Sequence, residues 1–404
     1  MVADSQSPYW TETTDPFTPS CSGGIPQGMD VIVVGGGLTG ISAAYHLSRA
    51  GRQVMVLEAF NVGSGASGRN GGQALNGWPL DMIEIRERYG NDTAQVLWHF
   101  SNEALSRFVQ IASDEAIECD LQQVGHLDAA WTESDVLRLH EEQRVLAALG
   151  KKTEWWSKGE IQDRVGTSMY LGGIYDITCY QVHPLKFVQG LAKAAERRGA
   201  KIFCFSPVIA IDREPTGYRV RGQEFVTHAK EVILATNGYV PSFAHWVRSQ
   251  LWSVASRVVV TAPQAGLIPE TMPTVSDSST EYHYFRLVEH GRLLFGGRPP
   301  ILPKIARMFP QMAKIPSEFE WEGRVAISWD GLPHFGRTPD GYWFAAGYTG
   351  HGVVLSTALG QLIAEAIAGK PLERSLANAL GSTMKRRPFS RRWRVLRQSD
   401  SPCR

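Results

Sequence analysis

The chain has 404 residues with 41 Lys and Arg against 40 Asp and Glu, a net charge of +1, so no overall basic surface for nucleic acid is implied. Its 43% hydrophobic and 20% charged residues describe a soluble globular protein of about two or three domains. No apolar run reaches the ~18 residues of a membrane-spanning helix. The first residues have neither the basic start nor the apolar core of a signal peptide.

Cys21, Cys119, Cys179, Cys204 and Cys403 include no C-x-x-C pair, which reads as reduced thiols in a cytoplasmic protein. No metal-ligand pattern is predicted.

The chain is organised around residues 31–40, Val-Ile-Val-Val-Gly-Gly-Gly-Leu-Thr-Gly. A buried strand over 31–34 runs into Gly35, Gly37 and Gly40 at G-x-G-x-x-G spacing. A helix follows over 41–47, and a second strand over 53–57 closes on Glu58. The first glycine makes the tight turn, the second lets the backbone approach a pyrophosphate, and the third lets helix pack on strand. The helix N-terminus turns free N–H groups toward the phosphates. Glu58, 18 residues after Gly40, is placed to accept from ribose hydroxyls. A bare glycine triplet is often only a turn; the complete strand–helix–strand unit predicts dinucleotide binding.

Before this unit, residues 1–27 read as a surface arm whose Tyr9 and Trp10 can pin into a groove. After it, 59–79 form a long glycine-rich loop at the cofactor end of the second strand, which points to function. Helix is predicted over 81–89 and 93–116 with a break at Gly90, a strand pair over 120–131, and a charged helix over 133–149. The Trp155-Trp156 pair reads as packing. A strand with its loop covers 170–180, and His183-Pro184 opens a helix over 184–198, leaving His183 as a cap or a catalytic side chain. Strands follow at 201–204, 208–212, 218–220, 225–227 and 231–235. The last enters Thr236-Asn237-Gly238-Tyr239, at a strand end where ligands of open α/β sheets bind.

Residues 254–261 and 282–298 carry strand patterns, with a hairpin turn over 289–292. A short helix is predicted over 308–313, a strand re-entering the first domain over 321–329, and a buried strand over 343–346. The stretch 347–352, Gly-Tyr-Thr-Gly-His-Gly, then opens an apolar helix over 353–368 and predicts a second site for an anion or carbonyl oxygen. Residues 385–404 hold eight Lys or Arg and one acid; this basic tail reads as a solvated end, the alternative being an anionic partner.

The motifs VVGGGLTG, LEA with GSGASGRNGGQ, HPLKFVQGLAKAAERRGA, YFR…RLLFGGR and WDGLPHFGR…GYTGHGV together resemble the D-amino-acid oxidase/sarcosine oxidase superfamily of FAD enzymes, and within it the γ-glutamylputrescine-oxidising branch. The resemblance spans roughly residues 28–370.

It implies an α/β fold of the glutathione-reductase-2/D-amino-acid-oxidase type. A Rossmann-like FAD-binding domain with its βαβ unit would come from 28–85, 170–245 and 325–370. An α+β substrate domain with an antiparallel sheet would come from 86–169 and 246–324, and a basic tail from 371–404. It further implies Gly35, Gly37, Leu38, Thr39 and Gly40 at the pyrophosphate, Glu58 and Ala59 at the ribose, and Ser67, Gly68, Arg69, Asn70, Gly71, Gly72 and Gln73 along the flavin. Val208 would face the adenine side, with Thr236, Asn237 and Gly238 near the cofactor. Gly347, Gly350, His351 and Gly352 would present N–H groups to the flavin's pyrimidine oxygen, where a helix N-terminus favours the negative charge of reduced flavin. Arg69, Tyr284, Arg286 and His351 are expected as the catalytic residues of the pocket. The alternative for Arg286 is a strand salt bridge, and for His351 a structural role at its turn.

Three departures from the family carry information. Amino-acid-oxidising relatives grip the substrate carboxylate with a lysine where this chain has Val354, and 70–85 lack any Lys or Arg. Because a buried carboxylate without a cation costs several kcal/mol, an amine without a nearby carboxylate fits better than a small α-amino acid. No cysteine lies between Cys204 and Cys403, so the cysteinyl flavin link of those relatives is not expected. The strand 293–297 lacks the lysine that activates oxygen in sarcosine oxidase, which leaves oxygen or an electron carrier as the acceptor.

The implied reaction is hydride transfer from a small-molecule amine to FAD, the imine hydrolysing to aldehyde and ammonia. With no second G-x-G-x-x-G joining a strand to a helix (the 63–68 repeat of the spacing lies within the long loop), NAD(P)H is not expected as co-substrate, which disfavours a flavin monooxygenase. The other readings are an amino-acid or aminophosphonate dehydrogenase or oxidase, and a non-catalytic FAD-binding subunit.

Overall fold

The computed structural model describes residues 7–381 except 22 and 265. The basic stretch 385–404 and Cys403 lie outside the described residues.

The strand Gly28–Val34 is the hub of the first sheet. It pairs in parallel with Val54–Leu57 on one side and Val226–Leu234 on the other, and Lys201–Phe203 extends the sheet beyond Val54–Leu57. An antiparallel set, Val208–Glu214 and Gly217–Gly222, extends the opposite edge, while Trp343–Ala346 pairs beside the end of Val226–Leu234. The central strands are apolar on both faces, as a parallel sheet covered on both sides requires. The helices Leu38–Arg49, Pro184–Arg197 and Gly352–Ile367 cover one face.

The second sheet runs in the order Ser317–Ser328, Leu251–Thr261, Arg292–Gly297, Tyr284–Val288, Thr274–Asp277, His126–Ala130, Gly172–Asp176, Glu154–Ser157. All neighbours are antiparallel except Thr274–Asp277 with His126–Ala130. A small third sheet joins Gln73–Ala74, Tyr180–Gln181 and Gln122–Gln123. This is the α/β architecture with an antiparallel second layer that the resemblance implies. Among the described residues no helix is long and apolar enough to cross a membrane.

Several elements differ from their expected positions. Gly172–Asp176 belongs to the second sheet, although 170–245 reads as one block of the first domain. Ser317–Ser328 pairs with Leu251–Thr261 along nearly its whole length and so lies in the second sheet, where 321–329 reads as re-entering the first. Both differences have one cause: alternation marks a strand but not its partner. The helix expected over 308–313 forms earlier, at Leu302–Met308, with Pro303 in its first turn and Pro310 beyond its end. Lys158–Val165 is a helix that periodicity missed, although its Ser157/Glu160 capping box was readable as S-x-x-E. The expected tail from 371 begins as structure: Arg374–Leu380 is a helix with Leu376, Ala379 and Leu380 buried.

Candidate active site

At the dinucleotide end, the first βαβ unit forms as its glycines require. A Cβ on Gly40 would lie 2.0 Å from the Gly35 carbonyl oxygen, so only glycine allows the helix to sit this close to the turn. A Cβ on Gly37 would meet Ser67 Oγ at 2.8 Å, and that hydroxyl accepts from Leu38 N–H at 2.9 Å. Thr39 Oγ1 lies 2.7 Å from Tyr348 OH, which ties the first glycine turn to the second.

Glu58 ends its strand with Oε2 accepting from Gly36 N–H at 2.5 Å and Oε1 from Phe60 N–H at 2.9 Å. Burial raises its pKa, against the pull of backbone N–H groups from Gly36, Phe60 and Ala59. Thr236 Oγ1 is buried without a hydrogen-bond partner among the described residues, and its methyl lies beside Gly35. A close-approach turn, a carboxylate at the second strand end and an unsatisfied buried hydroxyl beside them fit an adenine dinucleotide. Gly35, Gly37, Leu38, Thr39, Gly40, Glu58 and Ala59 would hold its pyrophosphate and ribose. Val208 begins a half-buried edge strand of the same sheet.

The second glycine turn is more occupied than expected. Gly347 N–H donates to Asn237 Oδ1 at 3.0 Å, Thr349 N–H to Ala326 O at 2.9 Å, and His351 N–H to Tyr348 O at 2.8 Å. These three N–H groups serve the protein, so the expectation that the turn as a whole faces the flavin is corrected. Gly238 packs against the Ser317–Ser328 strand beside Arg324.

A cavity of about 1080 Å³, counting its mouth, opens between the 66–75 loop, the start of the Gly352–Ile367 helix and the second sheet. Arg69, Asn70, Gly71, Gln73, Tyr284, Gly350 and His351 line it, as do Val353 and Val354. The Tyr284 ring is held between Gly71 and Gly296, where a Cβ would come within 2.8 and 2.0 Å of it. Its hydroxyl lies 3.3 Å from Ser256 Oγ. Burial pushes its pKa up to about 12, so Tyr284 faces the cavity as a hydrogen-bond donor. Arg69 donates from Nε to Ser64 O at 2.9 Å and from Nη1 to Glu322 O at 3.2 Å. His351 Nε2 is 3.0 Å from Asn76 O; a carbonyl only accepts, so Nε2 carries the hydrogen.

Arg286 corrects an expectation. It is not among the residues lining the cavity and makes no salt bridge among the described residues. Arg286 is 4% exposed, and its guanidinium donates to Gly71 O at 2.7 Å and Val182 O at 2.9 Å, while burial lowers its pKa to about 9. It fixes the 66–75 loop from behind. Trp10 lies over the same guanidinium, 5.2 Å from ring centroid to Cζ, and donates from Nε1 to Asn70 O at 2.8 Å. The N-terminal arm is thus part of the site's support, held by the short helix Tyr9–Glu12.

His183 is a cap. Its Nδ1 accepts from Lys186 N–H at 3.2 Å, so Nε2 carries the hydrogen and donates to Thr13 Oγ1 at 2.9 Å. Burial lowers its pKa from 6.5 to about 3. The unfolded chain therefore binds this proton first as pH falls, and stability present above 6.5 is lost between 6.5 and about 3, by up to about 1.4 kcal/mol per pH unit. In urea titrations, the stability advantage of wild type over His183→Gln is expected to shrink from neutral pH to about pH 4; a constant difference would refute the neutral cap.

The profile of the DAO family, described as FAD dependent oxidoreductase, matches residues 30–366. The chain is 32% identical over 359 residues to the probable oxidoreductase OrdL of Haemophilus influenzae, covering 84% of this chain and 83% of that protein. It is 31% identical over 387 residues to γ-glutamylputrescine oxidoreductase of Escherichia coli, covering 91% and 90%. Glycine oxidase from Geobacillus kaustophilus shares the fold with a TM-score of 0.75 at 21% identity, over 87% of this chain and 98% of that one. The chain belongs to the DAO family of FAD-dependent oxidoreductases.

Proposed function

We propose that the protein oxidises the C–N bond of an amine whose reacting carbon carries no carboxylate, a γ-glutamylputrescine-like substrate, the imine product hydrolysing to aldehyde and ammonia. Bound FAD supplies the acceptor for the two electrons, which pass on to oxygen or an electron carrier. The carrying observation is Val354: it lines the cavity and is 2% exposed, at the position where carboxylate-gripping relatives have lysine. An α-carboxylate there would be buried against an apolar wall without its cation. The similarity to γ-glutamylputrescine oxidoreductase over 91% of the chain supports the same reading.

In this reading Tyr284 orients the amine as a donor, Val353 and Val354 exclude water from its alkyl chain, and Arg69, with two donors fixed on carbonyls, stiffens the loop beneath it.

The test is anaerobic titration of the purified flavoprotein with γ-glutamylputrescine, putrescine, sarcosine and a D-amino acid, following flavin absorbance. Bleaching by γ-glutamylputrescine supports the reading, and admitting air then identifies or eliminates oxygen as the acceptor. Bleaching by the amino acids alone would overturn it.

A further inference from the structure

The cavity has two poles, one on its sheet wall and one at the start of the Gly352–Ile367 helix. Tyr284, Gly296, Val258 and Trp321 are successive cross-strand partners, and partners in register share a face. The next row of that face holds Ser256 and Gly323. Arg298, just past the end of the Arg292–Gly297 strand, also lines the cavity. The Arg298 backbone is anchored: its carbonyl accepts from Lys304 Nζ at 2.6 Å, and that lysine is itself buried.

Glu281 is the sole acid among the described residues lining the cavity, and its charge is already compensated. Lys304 Nζ and His283 Nε2 both lie 3.3 Å from Glu281 Oε2, with Arg307 at 3.8 Å. Burial works against its ionisation, but Lys304 and His283 outweigh it and hold the carboxyl below the ordinary range. The other pole, at Val353 and Val354, is apolar. A carboxylate at the charged pole meets a guanidinium whose planar fork matches it, and the acid beside it is already engaged by Lys304 and His283.

We propose that Arg298 is a specificity-determining residue that receives a carboxylate carried by the substrate far from its reacting C–N bond, so that an amine with a remote carboxylate is preferred over a bare diamine. This rests on the amine-oxidising reading of the site, and it assigns the substrate's second end.

The experiment uses the flavin-loaded enzyme and compares γ-glutamylputrescine with its methyl ester, which keeps the reacting amine but masks the carboxylate. Wild type is expected to favour the acid by about 10- to 100-fold in kcat/KM, mostly through KM. In Arg298→Gln that ratio falls toward one, and Arg298→Lys restores part of it. Equal kcat/KM for acid and ester in wild type overturns the proposal, and this holds even if the variants fail to fold.

Calorimetric binding of γ-glutamyl-n-propylamide, which keeps the glutamyl end but lacks the terminal amine that reacts, separates the two readings. Binding that weakens in Arg298→Gln while no amine bleaches the flavin sinks the amine-oxidising reading and keeps the carboxylate site. Turnover of both acid and ester without discrimination does the reverse. Neither binding nor turnover overturns both.

Discussion

Replacing Gly40 with alanine is expected to yield a protein that retains no flavin. The added Cβ would sit 2.0 Å from the Gly35 carbonyl oxygen and 3.0 Å from Val33 Cγ1. The first of these is backbone, so relief requires the helix Leu38–Arg49 to move off its strand. That movement withdraws the helix N-terminus from the phosphates it would hold. A loss of about 3 kcal/mol or more is expected from the displaced packing, along with at least a ~100-fold weaker hold on flavin. The comparison is Gly37→Ala, whose Cβ meets only Ser67 Oγ, at 2.8 Å. That hydroxyl can rotate away at the cost of its bond to Leu38 N–H, about 1 kcal/mol. Thermal melting distinguishes the two, while the flavin-to-protein absorbance ratio after gel filtration is expected to fall in both, because a Cβ on the second glycine also obstructs the pyrophosphate. A yellow, normally stable Gly40→Ala protein would mean that the turn is not where the cofactor binds.

Trp10→Ala should cost about 3–5 kcal/mol and loosen the flavin-side loop together with the fold. Trp10 is 2% exposed and touches three parts of the chain. Its Nε1–H reaches Asn70 O, its ring meets His183 edge-on at a centroid distance of 4.7 Å, and the Arg286 guanidinium lies over its face. Tyr9 beside it packs edge-on against Phe319 at 5.2 Å. Truncation leaves a cavity, an unpaired carbonyl and a buried guanidinium without its aromatic cover. Trp10→Phe isolates one component: it keeps most of the bulk and loses the bond to Asn70, so about 1 kcal/mol is expected, with a faster flavin off-rate. Denaturant unfolding followed beside flavin release reads both. An Ala variant within about 0.5 kcal/mol of wild type, the range of ordinary surface substitutions, would show that the arm is decoration.

The βαβ unit was legible because its determinants are local: glycine spacing, helix period and closing acid all fall within residues 28–58. The cavity was partly legible for the same reason, since Asn70, Gly71, Gln73, Gly350 and His351 sit in glycine-rich motifs. What escaped is non-local. Gly172–Asp176 and Ser317–Ser328 alternate like any strand, and their sheet is decided by partners up to 77 residues away. Arg286 has the sequence of a pocket arginine, on the same strand face as the cavity-facing Tyr284 but one row farther along, where it serves carbonyls at Gly71 and Val182 instead. Ser256 and Glu281 belong to no motif, and Arg298 closes the RLLFGGR motif with nothing in it to mark a cavity residue, because a cavity wall built across a sheet is defined by register rather than by sequence neighbours.

The arm also bears on the order in which the protein is assembled. Trp10 and Tyr9 are synthesised before every part of their seat, which is made of Asn70, His183, Arg286 and Phe319. At about 5–20 residues per second, the roughly 300 residues separating Tyr9 from Phe319 take on the order of 15–60 s to synthesise. Through that interval the seat is incomplete, so the arm can dock fully only after the strand that carries Phe319 has been made. Its docking is therefore a late step in folding, joined to the 66–75 loop through the Trp10–Asn70 bond.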